Sequence, residues 1–297
     1  SNSVLVTGAN SLWTNSGDLF VGYEGSSNSL VISNGGTVQS GTLFIGGSFS
    51  STGSSNNSVL VTGSNSVWTN SGNLAIGADG SGNSLVISDG GTVVAGNRGY
   101  IGNGTNSSNN SVLVTGTDSR WTTTYELGFF SSGNSLVISN GGTVAAGDSL
   151  INSSSNTVLV TGAGSTWTNS GSTYVGRSGS GNSLVISNGG TVANTLGYIG
   201  YDSNSAGNTV LVTDGGTWTN SEGLIVGRSG SSNSMVISNG GTVANTSAEI
   251  GYQINSSNNS VLVTGSNSLW TNSGYLIVGD EGSGNSMVIS HGGTVRA

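Results

Sequence analysis

The chain has one histidine, His291, and no cysteine. That leaves little for nucleophilic or zinc chemistry. A Ser-His-Asp or Cys-His arrangement needs a histidine beside a nucleophile, and a zinc site needs several His or Cys ligands. His291 stands in the run SHGG, in the slot held elsewhere by Asn34, Asp89, Asn140, Asn188 and Asn239. It therefore reads as a turn residue tolerant of left-handed geometry. Carboxylates remain, because polysaccharide-cleaving enzymes set two of them across the scissile bond. The 13 acids are scattered. The turn position of Glu24 becomes Asp79, then Phe130, Ser178, Ser229 and Glu281, which is drift and not a site. Asp280 and Glu281 adjoin in GDEGSGN and offer only weak calcium binding, with solvated turn acids the better reading. No metal, no cofactor and no enzymatic activity are expected. The Gly-containing runs lack the lysine of a phosphate-binding loop.

The elements that would position any site are unusual in composition. Of 297 residues only 6% are charged, against about 25% in ordinary domains, and there are 53 Gly and no Pro. The net charge of −8 argues against nucleic acid and against an anionic membrane surface. No apolar run approaches the roughly 18 residues of a membrane-spanning helix. There is no signal peptide. The first residues, SNSVLVTG, already lie inside a repeat, so the chain reads as an excerpt or processed piece of something longer.

Trp13, Trp68, Trp121, Trp167, Trp218 and Trp270 mark six repeats of about fifty residues. Each repeat splits in two. NSVLVTGANSLWTNSGDLFVG (Asn2–Gly22) aligns with NSLVISNGGTVQSGTLFIG (Asn28–Gly46). Twelve half-repeats of roughly 26 residues result, the last stopping before its third strand. Each carries three short strands separated by Asn, Gly and Ser turns, and nothing has helical periodicity. The expected fold is all-β: a right-handed parallel β-helix of about twelve coils with three strands per coil, forming one solenoid over residues 1–297. Its rise is roughly 4.8 Å per coil. Connecting loops vary, as in residues 46–56 against 152–155. A six-bladed β-propeller is the alternative; the mutual likeness of the half-repeats argues against it, because stacked coils put like residues on like.

Alternation along the strands assigns Val4, Val6, Leu30 and Ile32 inward. The six Trp alternate with Val38 and its equivalents up a core stack, large on small. Third-strand residues Val21, Ile45, Ile76, Ile101, Ile151, Val175, Ile199, Val226, Ile250 and Val278 also point inward. The Asn that opens each half-repeat, from Asn2 and Asn28 to Asn285, is expected to stack into an amide ladder. Asn34 supplies a left-handed bend and the pair Gly35–Gly36 supplies positive φ. One stripe faces outward yet is always apolar: Leu5, Val31, Leu60, Val86, Leu113, Val137, Leu159, Val185, Leu211, Val236, Leu262 and Val288. Either loops cover it or strand propensity alone selects it, or it is a ridge for self-association. Phe20, Phe44, Tyr100, Tyr174 and Tyr198 form a second outward surface, a candidate for stacking on sugars or on a neighbouring molecule.

The runs NSLVISNGGTV and LxVGxxGSGN, with little charge throughout, resemble the passenger-type β-helical repeats of bacterial autotransporter adhesins and related giant surface proteins. The resemblance implies export to the bacterial cell surface or beyond and carries over no active site. The membrane-anchoring barrel of that family is not in this sequence.

The function expected is a structural and adhesive extracellular rod. Its partners are further copies of itself, joined end to end or laterally into a filament or surface layer, or glycans on host or cell surfaces. No nucleic acid and no membrane insertion are expected. The alternatives are a carbohydrate- or ice-binding face, for which Thr37, Thr92, Thr143, Thr191, Thr242 and Thr294 form a column, and a polysaccharide-cleaving β-helix enzyme.

Overall fold

A computed structural model describes residues 1–48 and 53–297; the middle of the long connection 46–56 lies outside the described residues. The chain divides into two compact bodies, Ser1–Gly147 and Asp148–Ala297. Each is built of β-strands joined by turns, with no helix among the described residues.

Each body contains six first strands, from Ser3–Thr7 to Ser135–Ser139 and from Thr157–Thr161 to Ser286–Ser290. Within each body, neighbouring first strands pair parallel and in register: Leu5 opposite Val31, Val31 opposite Leu60, Leu159 opposite Val185. Second and third strands pair in the same way, Trp13 with Val38 and Phe20 with Phe44. This is the right-handed parallel β-helix. Propeller blades would pair successive strands antiparallel within a blade, so the alternative is excluded.

Period-2 alternation decides what fills the bore. Leu30 and Ile32 are buried while Ser29, Val31 and Ser33 are half-exposed. Five of the six Trp are fully buried, and Trp13, in the first coil, is half-exposed. Val93 sits between Trp68 and Trp121, and Val192 between Trp167 and Trp218. The third-strand residues are buried as expected except Val278, which pairs only with Ile250 and has no strand on its other side.

The NGG turn needs one correction. Asn34 (φ 52) and Gly35 (φ 83) are left-handed, but Gly36 is not among the positive-φ residues. Gly36 is required by contact: a Cβ there would lie 2.5 Å from the carbonyl oxygen of Val6 in the coil beneath. His291 takes the same left-handed slot, with φ 48.

A second feature was not foreseen. In three coils of the C-terminal body the second and third strands run together as Thr191–Ile199, Thr217–Val226 and Thr242–Ile250. In the N-terminal body a glycine follows the second strand at Gly41 and Gly96, packed against carbonyls of the neighbouring coil, and the strand breaks there. Thr195 and Thr246 occupy those places in the C-terminal body, and the extended backbone continues.

Candidate functional site

The most repeated polar residue builds structure. Within the N-terminal body, Asn57 donates both its backbone N–H and its Nδ2 to Oδ1 of Asn83, at 2.9 and 3.1 Å. Asn83 does the same to Asn110. In the C-terminal body Asn182, Asn208, Asn233 and Asn259 repeat the pattern. The interior rungs are fully buried, so each amide supplies the acceptor that a buried backbone N–H would otherwise lack. Among the described residues, a glycine ends the third strand in eight coils and packs on this ladder. A Cβ on Gly227 (φ +76) would lie 2.1 Å from Asn259 Nδ2.

A second amide row lies inside the C-terminal body. Asn194 Nδ2 donates to Asn220 Oδ1 at 2.6 Å, and Asn194 Oδ1 accepts from the indole N–H of Trp218 at 2.7 Å. The amides of Asn220, Asn245 and Asn272 continue the row at 3.1 and 2.5 Å. In the opposite amide orientation Asn245 instead turns its oxygen toward the indole and accepts from Trp270 Nε1 at 2.9 Å. The row starts at Asn194: Ser40 and Ala95 hold that place one coil before Trp68 and Trp121, and the indole N–H groups of Trp68, Trp121 and, in the C-terminal body, Trp167 are buried without a partner. The signal was in the sequence as WTN and VANT, two residues beyond each core Trp or Val.

The outward Leu/Val stripe is not covered by loops over the described residues. Ten of its twelve members are half-exposed. Leu5 and Val288, each flanked on one side only, are 63% and 52% exposed. In-register stacking shields each interior member along the stripe and leaves its outer side open. Rows of Ser and Thr flank it. Their hydroxyls pair from coil to coil, Thr62 with Ser88 at 2.8 Å and Ser187 with Thr161 at 3.0 Å.

The aromatic surface divides between the bodies. In the N-terminal body Phe20 stacks on Phe44 at 4.9 Å, and Phe44 and Tyr100 are buried with Ala75 and Ala78 beneath Phe20 and Phe130. These rings pack mainly on one another. In the C-terminal body Tyr174 and Tyr198 stack at 4.9 Å, and Tyr201 stands edge-on to both at 5.1 and 5.0 Å. The Arg228 guanidinium covers the Tyr201 ring at 4.4 Å, a cation–π contact. Burial raises the Tyr198 hydroxyl above the usual tyrosine pKa, and Tyr174 and Tyr201 add to the shift. Burial raises Tyr174 as well. The stacked faces of Tyr174 and Tyr198 are turned toward each other, and the Arg177 guanidinium lies 5.6 Å from the Tyr174 ring.

The Thr column is half-exposed on the second strand, except for Thr294 in the last coil, which is exposed. In the C-terminal body Thr166 and Thr217 occupy the intervening coils, so Thr166, Thr191, Thr217 and Thr242 are consecutive. Asp280 and Glu281 are exposed turn residues. Among the described residues no group of three or more His, Cys, Asp or Glu could hold a metal ion. A concavity of about 300 Å³ opens at the first coil, lined by Val4, Trp13, Leu19, Val21 and Leu30; it is the apolar mouth of the bore.

Fold and surfaces together define a parallel β-helix whose repeated residues are structural ladders and whose outer faces are flat and nearly uncharged. No family model matches the chain, and no curated protein matches it. Among solved structures, the crystal structure of the TibC-catalyzed hyper-glycosylated TibA55-350 fragment is similar in backbone course. The TM-score is 0.42 and the identity 16%, over 99% of this chain and 94% of that one. At that identity the likeness transfers no residue role.

Proposed function

We propose that the chain is a non-enzymatic structural and adhesive scaffold that works through its outer faces, exported to the bacterial cell surface or the extracellular space. The partners are further copies of the chain, end to end or side by side, or surface glycans. One observation carries this reading. The residues that recur in coil after coil are those that stack the coils or line a flat face, whereas residues able to do chemistry change from coil to coil: Glu24, Asp79, Phe130, Ser178. A catalytic site would hold its reactive groups fixed and let the rest drift.

The test displays the chain on a non-adherent bacterium and measures cell–cell and cell–surface attachment, beside a screen for polysaccharide cleavage. Increased attachment without new reducing ends is expected. Release of new sugar ends would overturn the reading. A second reading, an ice- or carbohydrate-binding face, draws on the consecutive Thr166, Thr191, Thr217 and Thr242. It requires thermal hysteresis or glycan retention that Thr191→Leu/Thr217→Leu abolishes.

A further inference from the structure

The first-strand face has an identity that packing inside the molecule does not explain. Its middle row is Leu in every odd coil and Val in every even coil, from Leu5 to Val288. The outward slot of the second strand keeps Thr in its even coils but drifts in its odd ones. There the odd coils hold Leu12, Val67, Arg120, Thr166, Thr217 and Leu269. Both slots have the same β-propensity requirement and point to solvent, yet one drifted to Arg and Thr and the other stayed apolar.

We infer that this face is an interface for a second copy of the chain, packed side to side through the Leu/Val row. The inference rests on the scaffold reading and names the surface through which it associates. Three features select a second copy as the occupant.

The first is charge. The row and its Ser/Thr flanks carry no ionisable group in either body, while the chain as a whole carries −8. Two like-charged copies can therefore meet here without apposing charges.

The second is shape. Leu is longer than Val by one methylene, so the row rises and dips every two coils. A copy displaced by one coil seats Leu against Val, which makes the row complementary to itself. On the flank from Thr7 to Ser290 the hydroxyls already pair within each repeat, as between Thr115 and Ser139 at 2.9 Å and Thr264 and Ser290 at 2.9 Å. Covering them therefore strands fewer unpaired polar groups.

The third is area. Five residues of strand by six strands span roughly 15 Å by 29 Å in each body. That is about 430 Å² per copy, or near 900 Å² counted on both. Standard stable interfaces bury about 1,600 Å² and weak, reversible ones fall below about 1,200 Å². One such face supports an exchanging pair and not a permanent dimer, so the association must be sought at high concentration.

The test is sedimentation equilibrium on the whole chain from about 10 to 300 μM, with association constants at this weak end of the scale. Leu60→Glu/Leu211→Glu charges the row in both bodies. Thr69→Glu/Thr219→Glu places the same charge on the second-strand face. Circular dichroism monitors the fold, and Leu60→Ser/Leu211→Ser serves as a neutral substitute should the charged pair fail to fold. Wild type and the Thr control are expected to associate, with no weakening in 0.5 M salt, and the row variants to associate at least about tenfold less. A wild-type chain monomeric throughout overturns the inference. So does equal weakening of row variant and control, a row variant that associates like wild type, or association that salt abolishes. A monomeric chain that still promotes attachment in the display assay would remove this interface and leave the scaffold reading standing.

Discussion

Asn208 sits midway up the ladder of the C-terminal body, and its replacement separates a load carried by the amide from one carried by hydrophobic packing. Its Oδ1 accepts from both the backbone N–H and Nδ2 of Asn182 at 2.9 Å, and its Nδ2 donates to Asn233 Oδ1 at 2.9 Å. Asn182, Asn208 and Asn233 are all fully buried. Asn208→Ala therefore leaves two buried donors of Asn182 without an acceptor, at about 1–3 kcal/mol each. The expected loss is about 2–5 kcal/mol in the C-terminal body, read from urea denaturation followed by circular dichroism. Asn208→Asp keeps the acceptor but turns a second oxygen toward Asn233 Oδ1. The introduced carboxyl is then held protonated by burial and by that oxygen, so its folded-state pKa lies above its unfolded value of about 3.9. Its stability is retained below that unfolded value and lost as pH rises through the folded one. The variant should thus approach wild type near pH 4 and fall behind it at pH 7. Asn188→Asp is the control: Asn188 is exposed, Asp89 fills its slot in another coil, and the change should stay within about 0.5 kcal/mol. An Asn208→Ala variant within 0.5 kcal/mol of wild type would refute the ladder's energetic role.

Gly227→Ala and Gly207→Ala both place Ala at positive φ, but a Cβ on Gly207 meets nothing within 4 Å. Gly207→Ala should cost about 1 kcal/mol of backbone strain and Gly227→Ala several times that, by thermal denaturation. Asn194→Leu strands the Trp218 indole N–H and one amide of Asn220 and should cost about 2–4 kcal/mol, whereas the same exchange at exposed Asn255 should be nearly neutral. The raised pKa values of Tyr174 and Tyr198 favour the protonated folded state. That contribution is complete below the unfolded value near 10 and is lost as pH rises past it, so Tyr198→Phe should flatten the alkaline loss of stability seen by fluorescence.

Most of the fold was legible because a solenoid repeats its own instructions. Alternation in NSLVISNGGTV oriented Leu30, Ile32 and Val38 correctly, since their partners one coil away carry the same pattern. What was missed depends on contacts between coils rather than on local propensity. Gly36 has no special φ; it is glycine because the Val6 carbonyl lies against it. Two of the three fused strands carry Thr195 and Thr246 where Gly41 and Gly96 break the others, a difference read only once the coils are aligned. The inner amide row was present as Asn194 and Asn220, but its meaning needs the Trp218 indole, 24 residues from Asn194, brought within 2.7 Å. The aromatic surface illustrates the limit of facing alone: Phe44 points away from the bore yet is 5% exposed, because Phe20 stacks on it.

The central claim is that amide ladders running between coils, outside the strands, hold the structure together. Residue-resolved hydrogen exchange tests it at the backbone N–H groups of Asn182, Asn208 and Asn233. Each precedes its strand, at a turn, yet donates to the next coil's Oδ1 at 2.9 Å. Protection equal to that of the buried strand amides Leu184 and Ile186 is predicted. Exchange at the rate of exposed turn amides would contradict the account.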